Sequence, residues 1–143
     1  MADGVLSPEE KAAMKALAAE RRAEAKAKDK AAAGLKAQQE AIAAMGDADR
    51  ALVERVAEIV AAEAPGLMPK TFYGMPSWVD AEGKTVVFFQ ETAKFKARYA
   101  TLGFEQAAQL DDGPMWPTAF ALVAIGPAEE KAIRALVRRA AGL

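Results

Sequence analysis

The side chains that could do chemistry fall into four groups. Lys94, Lys96 and Arg98 alternate with Phe95, Ala97 and Tyr99, so in an extended chain the three cations share one face. Cations at that spacing would hold a phosphate or a carboxylate. The competing reading is a water-facing strand whose long basic side chains discourage aggregation. Asp47, Glu54 and Glu58 lie along the outside of a helical stretch. Such an acidic ridge could collect a hard cation, although Arg50 stands one turn before Glu54 as an ion-pair partner. Asp111 and Asp112 make a smaller acidic pair. Arg21, Arg22, Lys26, Lys28 and Lys30 form a basic cluster, but Glu20, Glu24 and Asp29 interleave with it, and residues 1–46 carry eight basic against seven acidic groups. A nucleic-acid arm needs unbroken like charge, so the cluster reads as a solvated helix and nucleic acid is not an expected partner.

Absences narrow the chemistry further. The 143 residues include no cysteine and no histidine, which removes disulfides, thiol nucleophiles, thiolate metal sites, Ser-His-Asp machinery and ordinary zinc or haem ligation. Any metal would be a hard ion held by carboxylates, carbonyls and water. No nucleophile–base pair is visible, so the chain is not expected to be an enzyme. The formal net charge of −1 gives no general attraction to nucleic acid or anionic lipid. The start Met-Ala-Asp-Gly lacks the basic and apolar regions of a signal peptide. The longest apolar run, Ala119 to Ile125, is too short to span a bilayer. These features predict a soluble cytoplasmic protein with no membrane partner.

The elements that would position these groups follow from periodicity and punctuation. Ser7-Pro8-Glu9-Glu10 is a capping box with proline at the first helical position. The Ala/Lys/Glu-rich helix after it has only Met14 and Leu17 as large apolar residues before Leu35, and it is expected to be exposed. Gly34 interrupts the pattern, and Leu35, Gln38, Ile42 and Met45 then recur at helical spacing up to Gly46. Asp47 or Asp49 is placed to cap the next helix, whose stripe is Leu52, Val53, Val56, Ile59 and Val60. Thr71 to Met75 reads as a strand bent at Gly74-Met75-Pro76 and resumed at Ser77-Trp78-Val79. Asp80 to Gly83 is a hairpin turn. Lys84 to Glu91, apolar on both faces, reads as a central strand covered on both sides. Lys94 to Tyr99 reads as the next strand, Phe104 to Leu110 as a short helix, and Thr118 to Ile125 as the last strand. A helix opens at Gly126-Pro127, with Glu129 and Glu130 in its first turn and Arg138 and Arg139 in its last.

Tyr73-Gly74-Met75-Pro76, the hairpin after it, Phe88-Phe89-Gln90, the run Lys94 to Phe104 and Met115-Trp116-Pro117-Thr118 together resemble the YdhG-like family over about residues 50–141. That family is grouped with the frataxin-like superfamily, and some members are described as intracellular iron chaperones. The resemblance implies an antiparallel β-sheet with helices from both ends of the domain packed on it, which matches the order of elements read from the residues. It also implies iron as a ligand, although relatives often place a histidine where this chain has Lys94-Phe95-Lys96. The prediction is therefore an α+β fold: an antiparallel sheet packed by helices before and after it, with an extra N-terminal Ala/Lys/Glu-rich helix. Residues 1–46 would form the extension and residues 47–143 the domain. The expected function is a small binding module without a cofactor. Its site would be a groove between the Tyr73–Trp78 bend and the Lys94–Tyr99 strand, formed by Tyr73, Gly74, Met75, Pro76, Trp78, Phe89, Lys94, Lys96, Arg98 and Tyr99. Aromatic walls with a few cations suit a small anion or a peptide. The alternative is an iron chaperone using Asp47, Glu54 and Glu58, or Asp111 and Asp112.

Overall fold

The computed structural model describes residues 5–143. In chain order the elements are α1 (Pro8–Ala43), α2 (Asp47–Glu63), β1 (Met68–Phe72), β2 (Met75–Val79), β3 (Thr85–Gln90), α3 (Thr92–Phe95), β4 (Ala100–Phe104), β5 (Ala119–Leu122) and α4 (Pro127–Ala140). The five strands form one antiparallel sheet in sequence order. The fold is α+β, with helices before and after the sheet.

The chain divides into two compact units, Met1–Ala32 and Ala33–Leu143. In the first, the Glu10 amide donates to Ser7 Oγ at 3.1 Å and the Ser7 amide donates to Glu10 Oε1 at 3.5 Å, the expected reciprocal cap. Every residue from Pro8 to Lys30 is exposed, as a helix without an apolar stripe must be. Gly34, in the second unit, does not interrupt α1. A Cβ there would lie 2.6 Å from the Pro69 carbonyl oxygen, so the glycine lets the helix pass the backbone of β1. One turn later Gln38, only 3% exposed, donates through Nε2 to the carbonyls of Ser77 at 2.7 Å and Lys70 at 3.4 Å. These ties carry the end of α1 into the second unit, and the division falls between Ala32 and Ala33 rather than at Gly46.

Helix α2 starts from Gly46 in an extended conformation, not from an aspartate cap. Its buried apolar residues Val53, Val56, Ile59 and Val60 belong to the predicted stripe, whose fifth member Leu52 is half-buried. They pack with Ile133 and Val137 of α4 against one face of the sheet. Cross-strand register assigns that face Trp78, Val87 and Phe104 in one row and Phe89, Leu102 and Phe120 in the next. At Trp78/Val79 the β2–β3 register shifts, which lets the adjacent Val86 and Val87 both enter the core. Asp80 makes the predicted turn, its Oδ1 accepting from the amides of Glu82 at 2.9 Å and Lys84 at 3.0 Å. Between α2 and α4, Glu130 bridges Arg55 and Arg134, and Glu63 bridges Arg134 at 2.9 Å and Arg138 at 3.4 Å.

Four expectations are corrected. The bend at Gly74-Met75-Pro76 is a two-residue hairpin between β1 and β2, with Tyr73 and Gly74 in the loop and Pro76 inside β2. Phe72 and Met75 form the closing pair, so the position that would carry the Pro76 amide points away from β1 and toward Phe89 of β3. Proline there costs no β1–β2 bond, and only the β3 side of the ladder lacks a donor. The central strand β3 is not covered equally on both sides, because Phe88 on the outer face stays half-buried. Lys94 to Tyr99 is not a strand: Thr92–Phe95 makes one helical turn closed by Lys96 in the left-handed region, and pairing starts at Ala100. Phe104 to Leu110 contains no helix but a strand end and turns. The last strand and α4 lie where expected, and Glu129 Oε1 accepts from the Gly126 amide at 2.8 Å.

Candidate functional site

The hairpin loop is built from two left-handed residues, Tyr73 with φ 49° and Gly74 with φ 78°. Both central positions at positive φ match the right-handed twist of the strands, and Asn-Gly is the combination that adopts this turn at least cost. Here tyrosine occupies the first position and is 85% exposed. An L-residue with a large side chain costs about 1 kcal/mol or more in this region. The ring is nevertheless anchored. It meets the Phe72 ring edge to face with centroids 4.7 Å apart, and Phe72 in turn lies 5.5 Å from Phe88.

Phe72, Met75, Ser77, Phe88 and Gly103 share the outer face of the sheet by register. Gly103 is required there. A Cβ on it would lie 2.1 Å from Phe88 Cζ, so the ring rests on the β4 backbone. The rings of Phe72 on β1 and Phe88 on β3 lie 5.5 Å apart on this face. On the same face Ser77 is fully buried, and its hydroxyl has no hydrogen-bond partner. The outer face thus carries a half-buried aromatic strip that ends at the exposed Tyr73 ring.

Of the cations Lys94, Lys96 and Arg98, Lys94 reaches the hairpin end of this strip. Lys94 Nζ lies 3.1 Å from the position of a Cβ on Gly74, and its ammonium stands 5.6 Å from the Phe95 ring centroid. Asp49 of α2 sets its position. That carboxylate is 5% exposed and accepts from Thr92 Oγ1 at 2.8 Å, from the Thr92 amide at 3.1 Å and from the Ala93 amide at 3.3 Å. The negative group at the start of α3 satisfies amides that one helical turn cannot. It also fixes the direction in which Lys94 leaves the backbone.

The residues expected at the site separate. Tyr73, Gly74 and Lys94 come together, and Met75 lies on the same outer face. Trp78 and Phe89 are buried core residues on the opposite face, and Pro76, aligned with Thr71, is fully buried. Lys96 is the left-handed closing residue of α3, and Arg98 stacks on Tyr99 at 5.1 Å from its ring centroid. The three cations therefore do not form one face. Phe72, Phe88, Gly103, Ser77 and Asp49 were not singled out as site residues. The only sequence signal for the first two was their shared strand parity.

The acidic ridge does not fit a hard cation. Asp47 pairs with Arg50 at 2.5 Å, Glu54 faces the same guanidinium at 3.9 Å, and Glu58 pairs with Arg55. Among the described residues no three acidic side chains converge on a point that could hold a metal. Asp111 borders a different cleft of about 450 Å3, walled by Phe104, Glu105, Leu110, Trp116 and Thr118, and Asp112 is not among its walls. No helix among the described residues is long and apolar enough to cross a membrane. No protein-family model, no curated protein and no solved structure matches the chain.

Proposed function

We propose that this chain is a small, non-enzymatic, cytoplasmic binding module of the YdhG-like type, which holds a small anion at the Tyr73–Gly74 hairpin. The observation that carries the proposal is Tyr73, a large and almost fully exposed ring kept at φ 49° where asparagine would be cheaper. Its neighbours supply the chemistry. Phe72 and Tyr73 offer an aromatic edge on which a flat apolar body can rest, and the Lys94 ammonium stands beside Gly74 to receive a negative group. The motif that suggested the family is the same hairpin.

An aromatic anion tests both halves of the site. Phenyl phosphate, titrated while the Gly74 and Tyr73 amide resonances are followed, should shift them saturably, and inorganic phosphate should do so more weakly. Tyr73→Asn should lose most of the preference for phenyl phosphate, and Lys94→Met should weaken both probes. Native mass spectrometry of the purified protein should show a bound small acid that is missing from the double variant. Equal, unsaturable responses in all three proteins would rule the proposal out.

A further inference from the structure

The two edges of the sheet are treated differently, and the difference identifies a partner. On β1 the closing pair Phe72 and Met75 turns the backbone of Pro69 and Thr71 outward. Pro69 has no N–H to offer, and its carbonyl lies against α1 at Gly34. That edge is blunted by proline and covered by a helix.

The β5 edge has no such protection. The Phe104 amide donates to the Thr118 carbonyl at 2.8 Å, so Thr118, Phe120 and Leu122 bond toward β4. The amides and carbonyls of Ala119 and Ala121 then point away from the sheet. Both alanines are exposed, and β5 carries neither charge nor proline. Pro117, the preceding outward position, cannot donate, so the free edge begins at Ala119. Two large apolar side chains flank it, Met115 at 86% and Val123 at 77% exposure.

We propose that this edge pairs with the same edge of a second copy of the chain, antiparallel about a two-fold axis at Ala121, to make one ten-stranded sheet. Two-fold symmetry opposes each residue to a fixed partner, and a charge at the residue on the axis would meet its own image. In this register Ala119 faces Val123, Phe120 faces Leu122, and Ala121 faces Ala121. Every pair is apolar and no like charges meet, whereas β1 would bring Lys70 close to its own copy.

Sedimentation equilibrium of the full chain over a range of concentrations should show a monomer–dimer equilibrium. Ala121→Pro removes an N–H that β4 does not use, and Ala121→Glu sets two carboxylates opposite each other. Both should be monomeric with unchanged far-ultraviolet circular dichroism, self-association falling by roughly tenfold or more. Mixing Ala121→Glu with Ala121→Lys should restore dimers, and only as heterodimers. A wild-type chain that stays monomeric overturns the proposal. So does a dimer that survives both single variants, which would place the interface elsewhere.

Discussion

The two faces of this sheet carry similar residues with opposite consequences. On the covered face Trp78, Phe89 and Leu102 meet α2 and α4 and lose nearly all contact with water. On the outer face Phe72, Met75 and Phe88 stay half-buried, and the strip ends in an exposed tyrosine. Phe88 and Phe89 are neighbours in sequence and are separated only by the alternation of a strand. Aromatic content on its own therefore says nothing about function. What matters is which parity meets a helix, because only an aromatic left at the surface can meet a ligand.

The largest expected difference between the faces comes from truncating their paired phenylalanines. Phe89→Ala should cost about 3–5 kcal/mol, because a fully enclosed ring leaves a cavity, and Phe88→Ala should cost clearly less. Chemical denaturation of the two variants measures the gap, and equal losses would erase the distinction between the faces. Asp49→Ala comes next, at about 2–3 kcal/mol, since the Thr92 and Ala93 amides lose their charged acceptor. The same variant should release Lys94 from Gly74 and weaken anion binding while the fold persists, which amide exchange at residues 92–96 would report.

Smaller effects sharpen the outer face. Tyr73→Asn should raise stability by about 1 kcal/mol in the absence of ligand, because asparagine tolerates the left-handed region. A loss of stability would mean that the ring serves packing instead. Ser77→Ala should be neutral or stabilising by less than about 1 kcal/mol, since its buried hydroxyl has no partner to lose.

On the covered side, acid should loosen the α2–α4 contact. Hydrogen bonds from Arg55, and then from Arg134, hold the Glu130 carboxyl below the usual carboxylate range. Its folded value is depressed, so its contribution is complete above the unfolded value of about 4.3 and is lost as pH falls through the lowered folded value. Melting curves for Glu130→Gln should show a flatter acid limb than wild type. An unchanged limb would remove Glu130 from the acid response.

Local chemistry made the fold legible wherever the information was local. The Ser7–Glu10 box, the Val53/Val56/Ile59/Val60 stripe, the Asp80–Gly83 turn and the Gly126-Pro127 start all lie where their residues place them. The site was legible only in part. Tyr73, Gly74 and Lys94, expected together, do lie together, but the alternation from Lys94 to Tyr99 suggested a strand that the chain does not form. A six-residue alternating pattern is compatible with a strand, yet Asp49, far away in sequence, stabilises a helical turn at Thr92 by accepting its amides. Likewise Pro76 suggested a break, while the turn lies at Tyr73–Gly74 and the proline leaves β1–β2 pairing intact because its missing N–H would face β3.

By itself the sequence determined the α+β class, the absence of histidine and cysteine chemistry, the exposed character of the first helix and the Asp80–Gly83 turn, because caps, turns and apolar periodicity act over a few residues. Tertiary structure alone decided that Trp78 and Phe89 are core, that the Phe88 ring rests on Gly103 beside Phe72, that the acidic ridge is matched by arginines, and that only Lys94 of the three cations meets the hairpin. Each of these depends on which strand parity the helices cover and on a carboxylate brought in from α2, and no short-range pattern encodes either.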